Sequence, residues 1–189
     1  MIKNLAVFCG SNSGKNPLYQ EKASELGTYL AKNNIKLVYG GGKVGLMGII
    51  ADAVLENNGK VIGVMPDHLY QKEVAHEHLT ELQIVKTMHE RKALMVKLSD
   101  AFIAMPGGMG TLDEIAEIFT WSQLNLHTKP FGFYNIENYF DLLFEFFKHM
   151  VNEKFLRQEY YRRFIISEKP HELISKLEEY SHKDLIKWI

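Results

Sequence analysis

Apolar and polar positions alternate along the chain in two patterns. Short runs of mostly apolar residues stand at Leu5–Cys9, Lys36–Tyr39, Lys60–Met65, Leu82–Val85, Ala101–Ala104 and Pro130–Tyr134. Their length and β-branched content predict strands, with a seventh, headed by an arginine, at Arg163–Ile166. Between them helical periodicity covers Pro17–Asn33, Leu46–Asn58, Met88–Leu98, Gly110–Leu124 and Tyr139–Glu153. A last helix starts at Pro170 and runs to about Tyr180. Pro17 suits a first helical turn and Gly59 a C-terminal stop.

Alternating strands and helices imply right-handed crossovers and a parallel sheet covered on both faces. Val-Phe-Cys, Leu-Val-Tyr, Val-Ile-Gly-Val-Met and Ala-Phe-Ile-Ala-Met are continuously apolar, as burial on two sides requires. No repeat or Pro/Ser/Gly linker interrupts the chain, so one Rossmann-like α/β domain over residues 1–189 is expected. Ligands of such sheets sit beyond the carboxyl ends of the strands. The chemistry should lie in the loops there.

Composition narrows the function. Hydrophobic residues make up 46% and charged residues 24% of the 189, the balance of an ordinary globular chain. A net charge of −1 gives no field for nucleic acid, so no nucleic-acid partner is expected. The single Cys9 excludes a disulfide framework or thiolate zinc cluster and suits a reducing compartment. The apolar run near the N-terminus is too short for a signal-peptide core, and no stretch approaches a membrane span. A cytoplasmic protein with no membrane partner is expected.

Thirteen of the fourteen glycines precede position 111, and most lie in three loops. Gly10-Ser-Asn-Ser-Gly14-Lys15-Asn16 is one residue short of a P-loop and lacks its Ser or Thr after the lysine. Ser11 and Asn12 either face a ligand or form a polar turn. Gly40-Gly41-Gly42-Lys43-Val44-Gly45 matches the dinucleotide fingerprint, but after the second strand rather than the first, and Asp67 comes late for a ribose acid. No residue set for hydride transfer accompanies it. A tight turn facing a nucleotide, at Gly41, is the better reading.

The most informative segment is Pro106-Gly107-Gly108-Met109-Gly110-Thr111-Leu112-Asp113-Glu114. Its glycines present bare N–H groups and Thr111 a hydroxyl where a helix begins, and helix N-termini attract anions. A phosphate seat follows. Glu114 lies one turn beyond Gly110, about 6 Å along the axis, which is the reach across a pentose. A first-turn position should keep it ionised. Glu117 shares its face and is either an assistant or a solvated acid. Met88-His-Glu-Arg91-Lys92 brings two cations that can hold an anion or orient a carboxylate.

Pro106-Gly-Gly-Met-Gly-Thr-Leu-Asp-Glu114 resembles the P-G-G-x-G-T-x-x-E signature of the LOG ("lonely guy") family. Those proteins are cytokinin riboside 5′-monophosphate phosphoribohydrolases, often mislabelled lysine decarboxylases. The likeness extends over Val-Phe-Cys-Gly-Ser, Tyr39-Gly-Gly-Gly with Gly45-Leu-Met-Gly48, Glu73-Val-Ala-His76, Met88-His-Glu-Arg-Lys92 and Phe119-Thr-Trp-Ser-Gln-Leu124. It implies hydrolysis of the N-glycosidic bond of a nucleoside 5′-monophosphate, with Arg91 and Glu114 as catalytic residues. Glu73, Lys92, the Gly108–Thr111 loop and Thr120 would bind substrate, and Gly107, with Ser11 and Gly41 of the other two glycine loops, is expected to bind it as well. The resemblance also implies a Rossmann-like fold and a homodimer, and the scheme needs no metal or cofactor. The alternative is a non-catalytic nucleotide- or cofactor-binding carrier on the same fold, which needs a phosphate loop but no Arg91–Glu114 pair.

Other signals point elsewhere. His76-Glu-His78 places two histidines on different helix faces, which is poor metal geometry. Lys183 sits in a polar tail rather than at a strand end, against a pyridoxal-phosphate lysine. Tyr139 to Phe147 is apolar nearly all round, and together with Trp121 belongs to the core or to a dimer contact. Cys9 reads as a buried small hydrophobe.

Overall fold

The computed structural model describes residues 1–71 and 75–181. Fifteen elements follow in chain order: β1 (Asn4–Phe8), α1 (Leu18–Lys32), β2 (Lys36–Tyr39), α2 (Gly45–Glu56), β3 (Val61–Pro66), α3 (Asp67–Tyr70), β4 (Glu81–Val85) and α4 (Met88–Leu98). Then come β5 (Ala101–Ala104), α5 (Met109–Gln123), β6 (Phe131–Tyr134), α6 (Asp141–Asn152), α7 (Gln158–Tyr161), β7 (Ile165–Ser167) and α8 (Pro170–Glu179). The strands form one parallel sheet in the order β4-β3-β2-β1-β5-β6-β7. The chain winds from β1 to β4 in one direction and resumes at β5 on β1's other side. Leu5 is therefore in register with both Leu37 and Ala101. That reversal opens a crevice between the carboxyl ends of β1 and β5.

The pleat explains the unbroken apolar runs. Leu5, Val7 and Cys9 face one core with Leu26, Leu30, Ile50 and Leu173 of α1, α2 and α8. Ala6 and Phe8 face the other, with Met95, Ile115, Ile118 and Phe144 of α4, α5 and α6. Each strand must be apolar on both sides because each side has its own helical layer.

Where expectation and structure part, local chemistry decides. The left-handed residue closing α2 is Asn58, at φ 58°, rather than Gly59. Gly59 is pressed against Val54 and Ala31 instead. The helix expected from Tyr139 begins at Asp141, after a short 3-10 turn over Ile136–Asn138. It is also less buried than its composition suggests. Phe140 and Phe144 face the core, whereas Leu142 and Phe146 are 86% and 53% exposed. The seventh strand lies at Ile165–Ser167 because Arg163 turns inward to donate to the carbonyl (3.1 Å) and hydroxyl (2.9 Å) of Ser122. The four-residue helices α3 and α7 are too short to show a period. Among the described residues no helix is long and apolar enough to cross a membrane.

Candidate functional site

At the sheet reversal the two glycine loops touch. The Gly10 N–H donates to the Pro106 carbonyl at 3.0 Å, holding the loop after β1 against the loop after β5. Between them lies a cavity of about 260 Å³ lined by Ser11, Asn12, Tyr19, Gly107, Gly108 and Tyr139, among others. A larger hollow, about 850 Å³, opens at the amino ends of β1 to β3 beside Lys3, Lys36 and Lys60. It lies at the opposite end of the strands from the glycine loops. The smaller cavity occupies the position at which folds of this topology bind ligands.

Helix α5 starts at that cavity without a side-chain cap. Gly108 is its extended N-cap residue, and the Leu112 N–H is the donor to the Gly108 carbonyl, at 3.2 Å. The N–H groups of Met109, Gly110 and Thr111 precede it and have no helical acceptor. The space beside them is open, since a Cβ on Gly108 or Gly110 would meet nothing within 4 Å. Thr111 is buried and packs against Gly107, while the Met109 side chain, 78% exposed, leaves the backbone to face a ligand. Free amides at a positive helix end can hold an anion.

Glu114 and Arg91 form a buried pair. Nη1 of Arg91 lies 2.8 Å from Oε1 of Glu114, and the two side chains are only 13% and 11% exposed. Three further contacts set the guanidinium: Nε donates to the Val64 carbonyl at 3.1 Å, Nη1 approaches Met88 Sδ at 3.3 Å, and the group lies over Gly40. The start of α4 puts Arg91 there. The Thr87 hydroxyl, at the N-cap, accepts from Glu90 N at 3.1 Å, and the Glu90 carboxylate accepts from Lys86 N at 2.9 Å, so two bonds fix the first turn. Beside the pair, Lys92 bridges Asp113 (3.1 Å) and Glu117 (3.0 Å) on α5.

Glu114 is the sixth residue of α5 rather than a first-turn residue, and its environment reverses the expected shift. Burial pushes its carboxyl above the ordinary glutamate range, and the charge and hydrogen bond of Arg91 pull it back only in part. Burial also works against the Lys92 charge, but its bonds to Glu117 and Asp113 prevail and hold the ammonium above its usual pKa. Cys9 is buried and its thiol is pushed far up by burial and by the Glu114 charge, so it stays protonated. It acts as a small apolar group beneath the site.

Gly40 is required by this packing. A Cβ there would collide with Arg91 Nη2. Gly40→Ala should therefore displace the guanidinium and lower activity by about 100-fold, the scale of a misplaced catalytic group. Steady-state kinetics beside a thermal melt checks this, and a melt near wild type shows the loss to be local.

The other expected residues divide. Arg91, Lys92 and Glu114 come together from α4 and α5, and Gly107, Gly108, Met109, Gly110, Thr111 and Ser11 surround the cavity and helix start. Gly41, at φ 81°, uses its carbonyl to accept the His76 N–H at 2.9 Å and so anchors a neighbouring segment. Thr120 is exposed about 14 Å along α5 from Thr111, and its hydroxyl donates to the Ala116 carbonyl at 2.8 Å rather than reaching the seat. Glu73 lies outside the described residues, as does Lys183. Nε2 of His76 meets Asp52 at 2.9 Å while its Nδ1 accepts from His78 N at 3.2 Å, which is a structural arrangement. Among the described residues no group of three or more His, Cys, Asp or Glu converges to hold a metal. Sequence reasoning missed Tyr139, whose hydroxyl donates to the Gly107 carbonyl at 2.7 Å. Its phenol within an apolar run was the available signal.

Fold and site define a doubly wound α/β protein with an uncapped helix start at its reversal cleft and, further along that helix, a buried carboxylate paired with a guanidinium. A family model described as "Possible lysine decarboxylase" matches residues 47–177. Among curated relatives, the probable cytokinin riboside 5′-monophosphate phosphoribohydrolase LOGL2 of Oryza sativa subsp. japonica is 47% identical over 180 residues, covering 95% of this chain and 74% of that one. The cytokinin riboside 5′-monophosphate phosphoribohydrolase LOG7 of Arabidopsis thaliana is 46% identical over 179 residues, covering 95% and 82%. The chain belongs to this LOG family. Among solved structures, the molybdenum cofactor binding protein from Rippkaea orientalis superposes with a TM-score of 0.72 at 21% identity, covering 95% of this chain and 97% of that one. The molybdenum cofactor carrier protein of Chlamydomonas reinhardtii gives 0.70 at 16%, covering 95% and 98%. Those two share the fold.

Proposed function

We propose that the protein hydrolyses the N-glycosidic bond of a nucleoside 5′-monophosphate, AMP or a cytokinin riboside monophosphate, giving free base and ribose 5-phosphate. The observation that carries this is the buried Arg91–Glu114 pair, whose carboxylate stands on the helix with the uncapped start. The curated relatives, 46–47% identical over nearly the whole chain, are phosphoribohydrolases by name.

In this reading the N–H groups of Met109, Gly110 and Thr111 and the Thr111 hydroxyl hold the 5′-phosphate, with Gly107, Gly108, Ser11 and Gly41 shaping the cleft. The ribose extends along α5 toward Glu114. As the C1′–N bond breaks, positive charge grows on the sugar. The Glu114 carboxylate stabilises that charge or removes a proton from the water that adds to C1′, and the departing base takes up a proton. Arg91 stays charged, so it orients Glu114 or binds substrate oxygens rather than donating a proton. Lys92 holds α4 to α5 and adds positive potential. Glu73 and Thr120 are further proposed substrate contacts. A carrier would need the amide seat but gains nothing from burying an ion pair beside it, so the pair favours the hydrolase.

We also propose a homodimer in the cytoplasm. Support for the first comes from the exposed Leu142 and Phe146 on α6, and for the second from the use of a lone, buried cysteine.

The test is release of free base from AMP and from isopentenyladenosine monophosphate, each compared with its unphosphorylated nucleoside. Losing charge-assisted bonds to a phosphate should lower kcat/KM at least about 100-fold for the nucleosides. Equal rates with and without the phosphate would remove the seat from the account. The same assay across pH tests the charge state. Because Glu114 must be ionised and burial raises its pKa, activity should fall with acid at a pH above the ordinary glutamate range.

A further inference from the structure

Tyr139 stands clear of α6, 42% exposed, at the end of the turn that follows β6. The backbone that delivers it is strained: Glu137 and Asn138 are consecutive, neither is glycine, and both are left-handed, at φ 50° and 57°. Asn135 imposes this shape. Its buried side chain accepts from Phe140 N and donates to Asp141 Oδ1, both at 2.8 Å, while its own N–H donates to the Ser167 carbonyl at 3.0 Å. From the other side the Tyr19 ring packs edge-on against Tyr139 with centroids 5.7 Å apart. A strained turn, a pinned asparagine and an aromatic contact thus bring one hydroxyl to one carbonyl, that of Gly107 at 2.7 Å.

That carbonyl belongs to a Gly–Gly peptide, where steric preference between the two peptide orientations is weakest. In a planar trans peptide the Gly107 carbonyl and the Gly108 N–H point in opposite directions. Flipping the unit would exchange a donor for an acceptor at the edge of an anion seat. The preceding carbonyl, of Pro106, is already engaged by Gly10 N.

We infer that Tyr139 is a positioning residue for the phosphate loop: by engaging the Gly107 carbonyl it fixes the polarity of the Gly107–Gly108 peptide, and affinity for the 5′-phosphate depends on it. The inference rests on the reading of this cleft as a nucleoside monophosphate site, and it adds a specificity-determining hydroxyl from outside the glycine loop.

Tyr139→Phe keeps the ring and its contact with Tyr19 and removes only the hydroxyl. Its KM for AMP should rise about tenfold, the scale of one hydrogen bond, with kcat within about twofold of wild type. The Kd for AMP, measured by calorimetry on the wild-type and Tyr139→Phe proteins, should rise by the same factor. A merely structural role would instead lower kcat and the melting temperature together. Unchanged KM and Kd in Tyr139→Phe would overturn the inference and leave the hydrolase reading standing. AMP binding that weakens in Tyr139→Phe, in a wild-type protein that releases no base, would sustain the inference and remove the hydrolase. A wild-type protein that does not bind AMP would remove both.

Discussion

Glu114→Gln should abolish base release, lowering kcat by about 1,000-fold or more, with AMP still bound. The substitution keeps shape and the capacity to accept from Arg91 Nη1, now 2.8 Å from Oε1, and removes the charge. What is lost is the anion that opposes the growing charge at C1′ and the base that accepts a proton from water. General-base catalysis alone contributes about 100- to 10,000-fold, and electrostatic stabilisation adds to it. The seat lies at the start of α5 and is untouched, so the Kd for AMP should stay close to wild type. Rapid-quench measurement of free adenine beside calorimetric binding checks both halves. Turnover that survived the substitution would take Glu114 out of the chemistry.

The second large effect is expected at Arg91. Arg91→Ala strips a buried carboxyl of its partner and opens the space between Val64, Met88 and Gly40. Activity at neutral pH should fall roughly 100- to 1,000-fold. The acidic limb of the pH profile should also move to higher pH, since a neighbouring cation lowers a carboxyl pKa. The direction follows from the pair: Arg91 opposes the upward push of burial on Glu114, so its removal leaves burial unopposed. Stability follows the same sign. A carboxyl whose folded pKa is raised contributes fully below its unfolded pKa, and that contribution is lost as pH rises through the folded pKa. Arg91→Ala should therefore lose about 3–5 kcal/mol at neutral pH, as broken buried pairs do, and much less in acid. Thermal melts from pH 4 to 8 would show the gap from wild type widening with pH. Arg91→Lys restores charge but not the fork that reaches both Val64 and Glu114, and should recover only part of the activity.

Much of the fold is written in local patterns. Two helical layers force strands such as Leu5–Phe8 and Ala101–Ala104 to be apolar at every position, so their runs are visible without knowledge of their partners. The Pro106–Gly110 turn and the carboxylate one turn beyond it are also local, and so are readable. Properties set by residues distant in sequence are not. Glu114 could be placed on its helix, but its raised pKa comes from burial between elements, above Cys9 and against Arg91. The inward turn of Arg163 depends on Ser122, 41 residues away, and it shifts β7 along the chain. The apolar run from Tyr139 reads as one buried helix, because composition does not reveal that Asn135 accepts from Phe140 N ahead of a helix that starts at Asp141 and leaves Leu142 and Phe146 exposed.

Hydrolysis at this site requires one spatial relation between phosphate and sugar, and a crystal structure of the Glu114→Gln protein with AMP tests it most directly. The phosphate oxygens should accept from the N–H groups of Met109, Gly110 and Thr111, with C1′ of the ribose in contact with the residue 114 side chain. AMP bound with its phosphate away from the start of α5, or with C1′ turned from residue 114, would contradict it.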